Sequence, residues 1–189
     1  MRKLLALSLL SFTAMNAADA ARSESKLAHA YFGGGCFWCV EAVFDTMDGV
    51  SSVVSGYAGG KGRATYHNLD STGHAEVVRI DYDPAKVSYE QLLELFWEAH
   101  NPTTLNSQGA DHGSQYRSII LYTGDAERIA AEKSRDVAQA GFHDPIVTQI
   151  VPLTEFYEAE EGHQDYYARN SQNRYCQLVI KPKLKKLGR

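Results

Sequence analysis

Three cysteines, Cys36, Cys39 and Cys176, are few for a chain of 189 residues. They exclude a disulfide scaffold, which needs several pairs to stand in for a core. Charge of one sign is scarce as well: the formal net charge is −4, which argues against a nucleic-acid groove and a basic membrane-binding face. Long apolar runs are missing, since Leu4 to Phe12 falls well short of the roughly 20 residues that cross a bilayer. Metal-ligand spacing is missing too. His67, His74, His112 and His163 do not pair closely, and Cys36/Cys39 has no second Cys or His pair nearby, which argues against structural zinc. With no internal repeat and no linker, the chain reads as one domain with a substantial core.

The amino terminus reads as a secretory signal. Arg2 and Lys3 form a charged start, Leu4 to Phe12 an apolar run, and Ala18-Asp19-Ala20 a small-x-small cleavage site. The expectation is an exported protein, periplasmic or secreted. Residues 1–20 are then the signal, 21–27 a polar disordered linker, 28–183 the folded domain and 184–189 a basic tail. The wider basic stretch Lys181 to Arg189 reads as solvated.

The rest is organised around Gly33-Gly34-Gly35-Cys36-Phe37-Trp38-Cys39-Val40-Glu41. An apolar approach runs into three glycines, and Val40, Val43, Phe44 and Met47 then continue at helical spacing up to Asp48-Gly49. Cys36 is therefore expected where a strand hands over to a helix, on a turn that allows close approach. Unpaired N–H groups and the helix dipole there lower a thiol pKa from about 8.5. Phe37 and Trp38 supply an apolar wall for a small greasy group.

Further along, Val50 to Tyr57 is β-rich and leads into a glycine loop that runs to Tyr66. Ala75 to Tyr82 alternates, with Glu76, Val78, Ile80 and Tyr82 on one face. Ser88 and Gln91 form a capping box ahead of a helix with Leu92, Leu95, Phe96 and Ala99 as its buried stripe. A polar loop spans 103–115. Tyr116 to Tyr122 reads as a strand, Asp125 to Ala140 as a helix, Ile146 to Val151 as a strand, and about 157–170 as a last helical segment. The class is α+β, with helices packed on a mixed sheet.

Glu76 falls on the face that points into the core. It sits at the rim, pairs with a base, or is protonated; where aromatic rings cover it, desolvation makes it a proton donor near neutral pH. The loop Gly109 to Arg117 delivers Tyr116 and Arg117 to the start of an apolar strand.

Gly-Cys-Phe-Trp at 35–38, Gly73-His74-Ala75-Glu76 and Asp111-His112-Gly113-Ser114-Gln115-Tyr116-Arg117 together resemble peptide methionine sulfoxide reductases of the A type. Gly56-Tyr57-Ala58-Gly59-Gly60, Tyr89-Glu90-Gln91-Leu92-Leu93 and His163-Gln164-Asp165-Tyr166-Tyr167 are similar as well, over about residues 28–183. The resemblance implies a two-layer α+β sandwich related to the ferredoxin-like plait. It implies reduction of the S epimer of methionine sulfoxide, free or in oxidised proteins, with no cofactor and a thioredoxin-like protein as the external thiol reductant. Cys36 then attacks the sulfur and Glu76 donates to the oxygen. Tyr66 and Tyr116 hydrogen-bond that oxygen, Asp111 orders the polar network, and Phe37 and Trp38 hold the S-methyl group. Loss of methionine leaves a sulfenic acid on Cys36, which a second thiol closes to a disulfide.

Two thiols compete for that step. Cys39 lies one helical turn on, at about 5–6 Å, within disulfide reach, although many relatives carry glycine there. Cys176 follows Tyr175 as a C-terminal recycling cysteine often does, but Gln177-Leu178-Val179-Ile180 replaces a glycine-rich tail. A monomer is the default expectation. Two other readings stay distinct: a general thiol–disulfide oxidoreductase, which has no need of Glu76, and an exported module whose thiols hold a metal.

Overall fold

A computed structural model of the chain describes residues 26–189. The predicted signal segment 1–20 lies outside the described residues. Of the predicted linker 21–27 only Lys26 and Leu27 are described, both exposed and without regular structure.

Six strands make a mixed sheet, and their ends explain where the site forms. β1 (Ala28–Gly33) and β3 (Ala75–Tyr82) pair antiparallel, with Phe32 opposite Val78. β6 (Ile119–Tyr122) lies on the other side of β1, also antiparallel, with Gly33 opposite Ile119. β2 (Val50–Ala58) pairs antiparallel with β3, Tyr57 opposite Glu76. β7 (Gln149–Pro152) extends the sheet parallel to β6, and β8 (Phe156–Glu158) closes the other edge beside β2, giving the order β7-β6-β1-β3-β2-β8. In antiparallel pairs the end of one strand meets the start of the next. The exits of β1 and β2 and the entries of β3 and β6 therefore share one edge. That edge gathers Cys36, Tyr66, Glu76 and Tyr116.

α1 (Phe37–Phe44) and α3 (Tyr89–Ala99) cover one face of the sheet, and the single turn α2 (Leu69–Thr72) leads into β3. Phe32, Phe44, Phe96, Val78 and Ile80 form the centre of that core. The Ser88/Gln91 capping box is present, each side chain bonding the other residue's N–H. α4 (Asp125–Ala138) packs on α3, and the Trp97 indole N–H donates to Ser134 Oγ at 2.8 Å. The opposite face carries a smaller cluster of Ala58, Ala75, Val77, Ile119 and Leu121. This is the α+β arrangement of helices on a mixed sheet that the alternating patterns predict.

Four expectations are corrected. The segment from about 157 is not helical at its start, because Phe156–Glu158 finds the open edge of β2 and pairs there; the helix α5 spans only Tyr166–Asn170. Tyr116 ends a 3₁₀ turn, Ser114–Tyr116, and the strand begins at Ile119. The 103–115 loop contains a two-residue hairpin, β4 (Ser107–Gln108) with β5 (Asp111–His112). Lys181 to Arg189, including the predicted tail 184–189, is not simply solvated. After a π-helical turn, Cys176–Ile180, the helix α6 (Lys181–Lys186) buries Leu184, half-buries Lys183 and exposes Lys181, Lys185 and Lys186. Arg189 Nη1 donates to the Thr46 carbonyl at 3.0 Å.

Glu41 on α1 is buried and ties down the chain ahead of α5. Its oxygens accept from Ser55 Oγ (3.1 Å), Asp165 N (3.1 Å) and Tyr166 N (3.0 Å). Burial outweighs these bonds and lifts the carboxyl to about 7. The folded value lies above the unfolded one of about 4.3, so the stability this group contributes is full below pH 4.3 and is lost as pH rises through about 7. A Glu41→Gln variant is expected to show a flatter fall of the urea midpoint over that range than wild type. Equal slopes in the two proteins would mean that Glu41 does not titrate there.

Candidate active site

Cys36 sits at the N-cap of α1, and its carbonyl accepts from Cys39 N at 3.0 Å. The glycines before it are needed for shape. Gly35 adopts φ +96°, and a Cβ on Gly34 would stand 3.1 Å from the His100 ring. A side chain is strained at the first and crowded at the second. The thiol is buried, 7% exposed.

Glu76, at the entry of β3, is 2% exposed and lies under the same turn. Its Oε2 accepts the Phe37 N–H at 3.0 Å, satisfying one of the orphan donors at the start of α1. The rim placement is thereby excluded. Burial pushes the carboxyl up to about 8, despite the Phe37 N–H, with the charges of Asp111 and Cys39 adding to the rise. Glu76 is thus a neutral acid at pH 7, with Oε2 engaged and the proton left for Oε1.

The Cys36 and Cys39 thiols are neighbours on one turn, and their first ionisation belongs to the pair. Cys39 is lowered to about 7, first by the neighbouring Cys36 thiol, with Lys183 and Tyr175 helping against burial. Cys36 is pushed up, first by its Cys39 neighbour and then by burial and the charges of Cys39 and Glu76. One thiolate forms near neutrality, and it is held by the pair rather than by Cys36 alone. Tyr175 Oη lies 3.6 Å from Cys39 Sγ and donates to Asp111 Oδ2 at 2.7 Å. Cys176 is fully buried at the start of the π-helical turn, with its thiol raised by burial and then by the Cys39 charge.

The tyrosines expected at the site converge on it. Tyr66, 43% exposed, stands on the 3₁₀ turn Tyr66–Asn68 and its N–H donates to Glu160 Oε1. Tyr116 is half-buried. Both hydroxyls are raised by burial first, then by the charges of Glu76 and Cys36. Phe37 is buried against Tyr57 and His163. Trp38 is half-buried, stacked on Tyr166 at 3.5 Å between ring centroids and edge-on to Tyr175. His163 lies 4.7 Å from the Tyr66 ring.

Sequence reasoning gave no role to His163, Tyr166, Tyr175, His100 or His74. Their only signal was position inside polar motifs. His100 is buried, its Nδ1–H donating to Phe96 O and its Nε2 accepting from Ser118 Oγ, both at 2.7 Å. Burial lowers it to about 4, so it stays neutral behind the glycine turn. His74 holds the glycine loop through Gly60 N and Gly62 O.

Arg117 fastens the same edge. Its guanidinium donates to Ser114 O, Gly59 O, Gly73 O and Gln149 Oε1 at 2.9–3.1 Å. These bonds join the segments that carry Tyr116, Tyr66 and Glu76. Arg117→Met removes the donor that the Ser114, Gly59 and Gly73 carbonyls and Gln149 Oε1 share, and a loss of about 1–3 kcal/mol is expected from the urea midpoint. An unchanged midpoint would mean that solvent already satisfies those carbonyls.

Comparison with known proteins follows the same lines. Residues 28–189 match the family model of peptide methionine sulfoxide reductase. The chain is 53% identical over 159 residues to the peptide methionine sulfoxide reductase MsrA 1 of Rhodopirellula baltica, covering 82% of this chain and 83% of that one. The fold is similar to Mxr1 from Saccharomyces cerevisiae in reduced form, with a TM-score of 0.76, 32% identity, and 81% and 91% of the two chains covered. It is also similar to Mxr1 from the same organism in complex with Trx2, with a TM-score of 0.56, 26% identity, and 74% and 86% covered.

Proposed function

The chain belongs to the peptide methionine sulfoxide reductase family, and from that premise we propose how its own residues reduce methionine sulfoxide and which epimer they take. The observation that carries the reading is the bond from Phe37 N–H to Glu76 Oε2, which holds a neutral carboxylic acid against the turn that bears Cys36. A sulfoxide sulfur accepts a nucleophile only as its oxygen takes up a proton. Cys36 attacks the sulfur while its proton passes to Cys39, and Glu76 donates to the oxygen. Tyr66 and Tyr116 hydrogen-bond the oxygen as charge builds on it. Phe37 and Trp38 wall the S-methyl group, and this one-sided wall favours the S epimer. The sulfoxide S–O bond breaks, and the oxygen with the Glu76 proton ends on Cys36 sulfur as the bond between Cys36 and the substrate sulfur is released. Methionine thus leaves as the two-electron-reduced thioether, and Cys36 becomes the sulfenic acid.

Cys39 then closes a disulfide with Cys36. Its support is adjacency, since the two cysteines share the first turn of α1, where Cys39 N donates to the Cys36 carbonyl at 3.0 Å. Cys176 is close enough to feel the Cys39 charge and serves as the later relay thiol. The Trx2 complex of the yeast relative supports a thioredoxin-like reductant here. The order charged start, apolar run and Ala18-Asp19-Ala20 supports export, where a dedicated reducing partner has to supply electrons. Substrates are free and protein-bound methionine sulfoxide, and the protein acts without a cofactor.

The test is a comparison of S and R methionine sulfoxide with and without a recycling thiol. Cys39→Ser is expected to release one equivalent of methionine from the S epimer, more slowly than wild type because the Cys36 proton has lost its acceptor, and then stop under thioredoxin, with Cys36 trapped by a dimedone probe. Full cycling by Cys39→Ser would transfer the resolving role to Cys176.

A further inference from the structure

Tyr175 lies between the resolving thiol and a carboxylate, and its hydrogen count limits what it can do. A phenol has one hydrogen to donate. At 2.7 Å that hydrogen goes to Asp111 Oδ2, so the contact with Cys39 Sγ at 3.6 Å can then only be one in which Cys39 S–H donates to Tyr175 Oη. The alternative is a hydrogen turned toward a Cys39 thiolate, with the proton moved onto Asp111. The two arrangements differ by a concerted shift of two protons along Cys39–Tyr175–Asp111. Cys39 is buried, 3% exposed, whereas Tyr175, edge-on to Trp38, and Asp111 on the β4–β5 hairpin are both half-buried.

We propose that Tyr175 and Asp111 are the proton exit of the resolution step. This rests on the reading of Cys39 as the resolving thiol. After the first step Cys39 holds the proton taken from Cys36, so it faces the sulfenic acid as a thiol. As Cys39 sulfur bonds to Cys36 sulfur, the Cys39 proton passes to Tyr175 Oη and the Tyr175 proton to Asp111 Oδ2. The Cys36–O bond breaks, and the departing hydroxide takes a proton from Glu76, recharged from solvent after the first step, to leave as water. Cys39 and the sulfenic sulfur share the new bond, no external oxidant or reductant enters, and Asp111 releases its proton to water. Cys39 has little access to solvent of its own, being only 3% exposed, so its proton leaves through Tyr175. The titratable groups facing Cys39 are Cys36 on its own turn, Glu76 from β3, Asp111 from β5, Tyr175 and Cys176 from the C-terminal segment, and Lys183 from α6.

The relay is tested by rapid quench with S-methionine sulfoxide between pH 6 and 9.5. Disulfide formation is read against methionine release in the same transient, so that a general structural defect cancels. For Tyr175→Phe the ratio is expected to fall by about 100-fold at the acid end, the size of a lost proton-transfer group, and to recover toward wild type as hydroxide takes over at high pH. Asp111→Asn is expected to shift the profile in the same sense. A Tyr175→Phe ratio equal to wild type at every pH, or reduced by one constant factor throughout, overturns the relay. Cys39→Ser run in parallel separates the premise: disulfide formation there at the wild-type rate, through Cys176, overturns the assignment of Cys39 itself.

Discussion

Cys36→Ser is expected to abolish methionine release from S-methionine sulfoxide, with a loss of about 10⁴-fold or more, the order seen when a covalent nucleophile is deleted. Serine is nearly isosteric and the site is buried, so the urea midpoint should stay close to wild type and the loss should be chemical. A hydroxyl at this position has no partner able to take its proton, because Cys39 accepts readily only from an acidic thiol. No dimedone adduct should form on the remaining cysteines after exposure to substrate. A substantial residual rate, carried by Cys39 alone, would mean that the nucleophile has been misassigned within the pair.

Glu76→Gln separates two roles of one side chain. The glutamine carbonyl still accepts the Phe37 N–H, so the start of α1 remains capped, but the proton is gone. The rate of the first turnover is expected to fall by about 10²–10⁴-fold, the range for a lost general acid. The pH profile gives the sign. Below about 7 the cysteine pair is fully protonated and the wild-type rate falls. Above about 8 Glu76 is ionised, can no longer donate, and the rate falls again. The variant should keep the acid limb and lose the alkaline one. Glu76→Ala, which removes the cap as well, should also lower stability.

Much of this site was legible in the chain because its signals are local. Three glycines ahead of Cys36 announced a turn, and the 2-residue period of β3 put Glu76 on the core face. Both readings use only sequence neighbours. Arg117 and Tyr175 were different. Arg117 acts on Gly59 and Gly73, and Tyr175 on Asp111 and Cys39, across separations that no local period encodes. The same limit explains β8, whose three residues become a strand because β2 offers an open edge. It also explains the carboxy terminus, where a lysine-rich helix is held by the single burial of Leu184. The Cys36 thiol is the instructive case. The helix start argued for a lowered pKa on Cys36 alone, but the partner one turn on shares that ionisation.

Chemistry at the sulfoxide depends on Glu76 being uncharged when substrate arrives. Carbon-13 NMR of the Glu76 side-chain carboxyl, titrated in the reduced enzyme, reads that state directly. The carboxyl should be protonated at pH 7 and titrate near 8, with its shift responding to alkylation of Cys36. A carboxyl that titrates near 4.5, indifferent to the state of Cys36, would contradict the account.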